Sequence, residues 1–415
     1  MFPLHRPHVL IRIQANQLGR EIDFFAEYLV DRGYKRGVMQ LYLQAIEHLG
    51  SWMRLRQIST GGLDEQVVSN FLSHLSECRC PRPASHETKA LRASVHHFLR
   101  CLRNRGQIPC RATVNMTPVD REVWQFDNHL DQAGGLALNT RLYRRRYVRQ
   151  FLSHLFGCGP FEPEKIKPRH VMDFAANQAA ARKPGTAKVI VGALKSYFKY
   201  LQLRGLCDLQ LLSAVPTIPF WKLAGIPKTV AAQDLDRFLK TFDRSTATGR
   251  RDFAMALCMN ECGLRACEIS HLHLRDINWR LGILNVPKSK THRSRHLPLT
   301  PRLGQAISDY LRNGRPNSSE HGLFLRHRAP YDPISDGIVR GALRRSYERS
   351  GATPWSGPHA LRHTLAARLM EGGVPIKEVA DVLGHTSIDT TAIYAKVNLA
   401  MLKQVAMPWP KGGNS

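Results

Sequence analysis

Only one stretch of this chain carries a convincing β pattern, and it decides the fold class. "DINWRLGILNVPKSKTHRSRHLPLT" (276–300) reads as a strand, a turn at Gly282, a second strand, a basic hairpin loop and a third strand ending in "HLPL". Elsewhere apolar residues recur with the 3.6-residue period of helices, punctuated by Gly or Pro. "HGLFL" (321–325) reads as a short strand or a buried loop. The expected fold is mostly α with a small antiparallel β-sheet confined to the second half.

A chain of 415 residues is too long for one core and divides into two to four domains. "LLSAVPTIPFWKLAGIPKTV" (211–230) contains Pro216, Pro219 and Pro227 without helical period, which marks a linker. The expected boundaries are an extension over 1–16, a helical module over 17–110, a second over 118–207, a linker over 208–228 and an α+β domain over 229–410. The two front modules look duplicated: Tyr42 aligns with Tyr143, Phe71 with Phe174 and Gly106 with Gly205, at offsets of about 100 residues.

Charge bears on partners. Sixty Lys and Arg against 33 Asp and Glu give a formal net charge of +27, which points first to nucleic acid. An anionic membrane surface is the rival, but no apolar run approaches the roughly 18–20 residues of a spanning helix. The start, "MFPLHRPHVLIRIQANQ", is broken by Pro and charge and does not read as a secretory signal. "RLYRRRYVRQ" (141–150) holds Arg141, Arg144, Arg145, Arg146 and Arg149 with tyrosines interleaved. With no acid in the run to compensate, it reads as a phosphate-contacting face, to which Lys188 and Lys195 are added.

Nine cysteines are odd in number and scattered, as in an intracellular protein with reduced thiols. Cys258, Cys262 and Cys267 are expected to be buried thiols. Cys78-x-Cys80 is too tight for the usual zinc spacing, and no second Cys or His pair in the sequence answers it, so no metal or other cofactor is expected.

Four segments of the second half carry chemistry when taken together. "NECGLRACEISHLHL" (260–274) starts a helix at Arg265, with Glu268 three residues on, where it can orient that arginine. "PKSKTHRSRHLPL" (287–299) offers Lys288, Lys290, Arg293 and Arg295 on the hairpin. "GPHALRHTLAARLMEGG" (357–373) opens a helix with His359, Arg362 and His363. The i, i+4 histidines resemble zinc-protease ligands, but Ala360 stands where that site needs its glutamate. "VPIKEVADVLGHTSIDTTAIYAKV" (374–397) reads as helix, Gly384 turn, helix, with His385 and Tyr394; alone it also suits a helix-turn-helix.

Two arginines, a lysine, histidines and a tyrosine match attack on a DNA phosphodiester. Charge builds on the nonbridging oxygens, which preorganised arginine forks stabilise. The 5′ oxygen needs a proton, and a tyrosine hydroxyl can form a reversible covalent bond. "GLRACE", "HALRH", "LGH" and the tyrosine nine residues after that histidine resemble, in order, the boxes of the tyrosine recombinase (phage integrase) family. The resemblance covers about residue 120 to the C-terminus.

It implies catalytic roles for Arg265, Lys290, His359, Arg362, His385 and the nucleophile Tyr394, with Glu268 in support. Lys288 is the alternative lysine. It also implies SAM-like helical core-binding domains plus a catalytic domain; the basic hairpin residues Lys288, Arg293 and Arg295 are read, from their charge, as DNA contacts. Double-stranded DNA is the expected partner, bound by a dimer-to-tetramer synapse or with partner recombinases. Neither ATP nor metal is required, and the location is the bacterial cytoplasm, at the nucleoid while acting. The tail 398–410 would dock on a neighbouring protomer or fold back. The implied function is integration, excision or transposition of a mobile element through a 3′-phosphotyrosyl intermediate. The alternatives are a non-catalytic helix-turn-helix regulator and a type IB topoisomerase-like enzyme.

Overall fold

The computed structural model describes residues 15–80, 88–108, 116–219, 227–287, 294–352, 357–385, 387 and 389–394. The chain divides into two compact units, one joining residues up to 111 with those from 225 onward, the other spanning 112–224.

The front module consists of α1 (Gly19–Asp31), α2 (Arg36–Leu55), α3 (Glu65–His74) and α4 (Thr88–Asn104). Asp64 caps α3 by accepting from Val67 N at 2.8 Å, a contact worth about 1 kcal/mol. Phe25, Leu49, Phe71 and Phe98 form its core. The module packs within the same unit as the C-terminal half, where Arg32 pairs with Asp332 and lies 3.5 Å from Glu320.

The second unit consists of α5 (Pro118–Gln132), α6 (Leu138–Phe156), α7 (Pro168–Ala180), α8 (Pro184–Leu203) and α9 (Leu209–Ser213). Thr117 caps α5 and Pro118 occupies its first turn, where a missing N–H costs nothing. Phe126, Phe151, Tyr197 and Phe198 fill the core. The expected linker therefore begins late. Residues 209–213 are helical, and Leu211 and Val215 belong to this core. Apolar side chains at those positions outweighed the breaking effect of the prolines that follow. As for the expected duplication, Phe71 and Phe174 are both buried, and Gly106 and Gly205 both turn the chain with positive φ. Tyr143 is 55% exposed, unlike the half-buried Tyr42.

The C-terminal half centres on α11 (Ala247–Cys262), preceded by α10 (Ala232–Lys240). Residues Phe253 through Met259 are all buried, the signature of a helix enclosed on every side. Around it lie α12 (Ala266–Ser270), α13 (Pro301–Asn313), α14 (Asp336–Arg349), α15 (His359–Glu371), α16 (Ile376–Leu383) and α17 (Asp389–Ala392). The sheet is β1 (Ile277–Asn278), β2 (Ile283–Val286) and β3 (Arg295–Pro298), antiparallel in the order β1-β2-β3, with Leu284 opposite both Ile277 and Leu297. The mostly helical fold with one small antiparallel sheet is as expected. Residues 322–325 form a buried loop with single bridges, His273 to Gly322 and Leu325 to Pro333, while His321 is exposed. Cys258 and Cys262 are buried, but Cys267 is only half-buried. Among the described residues no helix is long and apolar enough to cross a membrane.

Candidate active site

Two helix ends and one helix start build this site. α11 ends at Gly263 in the left-handed conformation (φ 61°), where a Cβ would lie 2.8 Å from Leu383 Cδ2 and 3.0 Å from Leu365 Cδ2. Only glycine satisfies both demands. α16 ends in the same way at Gly384 (φ 62°), with a hypothetical Cβ 2.6 Å from Arg295 Nη1. The carbonyls left unpaired at these ends carry the negative pole of their helices and accept from arginines. Arg362 donates to the carbonyls of Gly263 and Leu383, and Arg265 Nη2 to that of Gly384 at 3.4 Å.

Arg265 stands at the N-cap of α12. Its backbone N–H donates to Glu268 Oε2 at 2.8 Å and its Nη1 to Oε1 at 2.8 Å. Arg295, on β3, donates to the same carboxylate through Nη1 at 3.1 Å and Nη2 at 2.8 Å. Glu268 is 1% exposed. Burial raises its carboxyl, but the hydrogen bonds and charge of Arg295, then of Arg265, outweigh it and hold the group at about 2. One buried anion thus aims two cations.

The expectation for Arg295 needs correction. Grouped with the DNA-contacting loop, it is instead 9% exposed and tied to Glu268. In a strand its side chain alternates inward, which a count of basic residues along a loop overlooks. Lys288, Lys290 and Arg293 lie outside the described residues.

Arg362 is 3% exposed, and its guanidinium is pushed below the usual arginine range by burial and by the charges of Arg265 and Arg295. His359 is exposed in the first turn of α15. His385 follows Gly384; its Nδ1 lies 2.7 Å from Thr391 Oγ1. Its ring stacks on that of Tyr394 with centroids 6.5 Å apart and 7° between planes. Tyr394 is 1% exposed, in a small apolar cluster with Ala366, Met370, Val379 and Leu383. Burial raises its hydroxyl pKa, while Arg362 and Arg265 pull it down. The tail 398–410 lies outside the described residues.

One neighbour of Tyr394 was missed. His363 Nδ1 lies 2.7 Å from the tyrosine hydroxyl. Burial, helped by His359 and Arg362, lowers this histidine to about 4, so it is neutral near pH 7. Sequence reading weighed His363 only as a zinc ligand with His359. The available signal was its place one residue after Arg362, a turn of helix from His359.

The arginine stripe of α6 is also corrected. Acids absent from the run are supplied by α5. Arg141 grips Asp127 with two 3.0 Å bonds and also pairs with Asp131. Arg145 reaches Asp127 at 3.3 Å, and Arg149 pairs with Asp120. Arg144 donates to Ser196 Oγ at 2.8 Å. Arg146, Lys188 and Lys195 are exposed, and Arg146 lies near the Tyr147 ring.

Residues 228–401 match the phage integrase family. The chain is 36% identical over 392 residues to the putative integrase/recombinase y4rA of Sinorhizobium fredii, covering 93% of each chain. It is 27% identical to the tyrosine recombinase XerC of Thermodesulfovibrio yellowstonii, over 70% of this chain and 96% of that one. Among solved structures, the Tn1549 transposon integrase in complex with transposon right-end DNA aligns with a TM-score of 0.53 at 18% identity, covering 69% of this chain and 99% of that one. A lambda integrase dimer bound to a COC′ core site aligns at 0.52 and 18% identity, covering 71% and 99%. The full-length similarity and the matched C-terminal half agree with the arginine-and-tyrosine centre: this chain belongs to the phage integrase family of tyrosine recombinases, enzymes that exchange DNA strands through a tyrosine nucleophile.

Proposed function

We propose that this recombinase integrates, excises or transposes a mobile DNA element. The observation that carries the chemistry is the setting of Tyr394: His363 Nδ1 lies 2.7 Å from its hydroxyl, His385 stacks on its ring, and the charges of Arg362 and Arg265 act on the phenol. Tyr394 Oη attacks the scissile phosphorus and forms a 3′-phosphotyrosyl bond while the bond to the 5′ oxygen breaks. Arg265 and Arg362 hold the nonbridging oxygens, with His359 and His385 as further phosphate partners. Lys290 protonates the leaving 5′ oxygen. His363, neutral and already at the hydroxyl, accepts the phenol proton. A new 5′-hydroxyl then attacks the phosphotyrosine and reverses each transfer. The phosphodiester energy stays in the covalent link throughout.

The nucleophile is covered in the free chain, so α17 must shift before attack, and duplex binding supplies that step. Double-stranded DNA is the substrate. The lambda integrase neighbour is a dimer on its core site, which supports assembly of this chain as a dimer on DNA; a synaptic tetramer, alone or with partner recombinases, extends the same proposal. Similarity to y4rA runs through the front module, whereas the XerC match covers 70% of the chain, which favours an integrase over a chromosome-resolving role. A helix-turn-helix regulator fits less well, because α17 has four residues and Tyr394 beside it is buried.

Recombination between the ends of the element that carries this gene tests the proposal. A circular donor bearing those ends should integrate into, or be excised from, a second replicon in cells making this chain. Recombination only between directly repeated chromosome-dimer sites would overturn the mobile-element reading. His363→Ala should slow adduct formation about 10²-fold with DNA binding retained; an unchanged rate would remove that residue from proton transfer.

A further inference from the structure

The sequence left Cys78-x-Cys80 without partners, and the fold supplies them. α2 brings His48 and the last residue of α3 brings His74, so that one nitrogen or sulfur from each of the four residues lies within 4.8 Å of all the others. His48 Nε2 is 3.3 Å from Cys78 Sγ, and His74 Nε2 is 3.5 Å from Cys80 Sγ. Tetrahedral zinc with two sulfurs and two nitrogens needs ligand atoms about 3.3–3.8 Å apart, given its bond lengths. Two sulfurs and two imidazoles are also the donor set this ion favours over harder cations.

The surroundings match such a site. His74 Nδ1 lies 2.6 Å from the carbonyl of Phe71, which fixes the hydrogen on Nδ1 and leaves the Nε2 lone pair facing the sulfurs. The backbone N–H of Cys80 donates to Cys78 Sγ at 3.4 Å, the stabilisation a metal-bound thiolate attracts. Phe71 packs edge-on against His48 at 5.1 Å, and Trp52 lies 5.5 Å from His74, walling the cluster from the core side. His48 is buried, while His74, Cys78 and Cys80 are half-buried, which leaves a path for an ion.

We propose that His48, His74, Cys78 and Cys80 form a structural Zn²⁺ site. The ion would fasten the segment after α3 onto α2, adding a cross-link to a module held by an apolar core. Four protein ligands close the coordination sphere, so the site holds structure and carries out no chemistry. It lies on the front module, separate from Tyr394 and its arginines, and stands whether or not the mobile-element reading holds.

The test uses the full chain, purified without chelator from zinc-supplemented cells. Elemental analysis should find about one equivalent of zinc per chain, and a mercurial that titrates thiols should release it. Cobalt(II) exchanged into the chain should give intense tetrahedral d–d bands with thiolate-to-metal charge transfer. Cys78→Ser with Cys80→Ser should lose both metal and spectrum, while Cys158→Ser, exposed in the other unit, should keep them. The proposal is overturned if the wild-type chain, incubated with zinc and desalted, holds less than about a tenth of an equivalent. Octahedral cobalt, or zinc retained by the double variant, also overturns it. The wild-type metal content and cobalt spectrum decide the matter even where the double variant does not fold.

Discussion

Arg149 and Arg295 each meet a carboxylate, yet the two pairs belong to different kinds of site. On α6, Arg149 remains 54% exposed beside an Asp120 that is 30% exposed. Such a pair contributes roughly 0–1 kcal/mol and gives way readily to a phosphate. In the catalytic half, Arg295 and Glu268 are 9% and 1% exposed, and Arg265 shares the same carboxylate. Arg362 is held not by an acid but by carbonyls at two helix ends. The first arrangement makes cations exchangeable; the second fixes them before the substrate arrives. Binding a flexible polyanion tolerates the former, whereas stabilising a transition state requires the latter.

The difference is sharpest in Arg265→Lys. The charge is kept but the planar fork is lost, so single-turnover strand cleavage should fall about 10²–10³-fold, with duplex affinity within a few-fold of wild type. Equal losses in both would mean that Arg265 is merely another binding cation. Glu268→Gln comes next. Removing the buried anion leaves two cations facing each other, and should destabilise the catalytic half by about 3 kcal/mol, read by chemical denaturation. The same anion sets an acid limit. Its pKa is depressed to about 2 in the folded chain, so its stabilisation is complete above the unfolded carboxylate range, near pH 4.3, and is lost as pH falls towards 2. The denaturation midpoint of Glu268→Gln should be correspondingly less sensitive to pH in that window. The smallest effect belongs to α6. Arg145→Ala and Arg149→Ala should each weaken DNA binding a few-fold, reduce the salt slope by about 1 and leave the denaturation midpoint nearly unchanged. A large stability loss would show those pairs to be structural after all.

How much of this was legible follows the same line. The β hairpin could be read because alternation along 276–300 is local. So could Arg265 with Glu268, which sit one helical turn apart, and the Gly384 turn that ends α16. Long-range partners could not be read. Asp120, Asp127 and Asp131 meet the α6 arginines only because two helices pack antiparallel. Arg295 finds Glu268 only through the strand's inward face. His48 meets Cys78, thirty positions further along the chain, and joins Cys80 in the same cluster. His363 was local but masked by a better-known motif at the same spacing. Sequence pattern reports which face a residue occupies; the identity of the group opposite is a property of packing.

All of this converges on Tyr394. Incubation with a nicked duplex whose 5′ product diffuses away should trap a covalent adduct, and peptide mapping should place the 3′-phosphate on Tyr394. Tyr394→Phe should bind the same duplex and form no adduct. A phosphate mapped to any other residue, or an adduct on the Phe variant, would contradict the account.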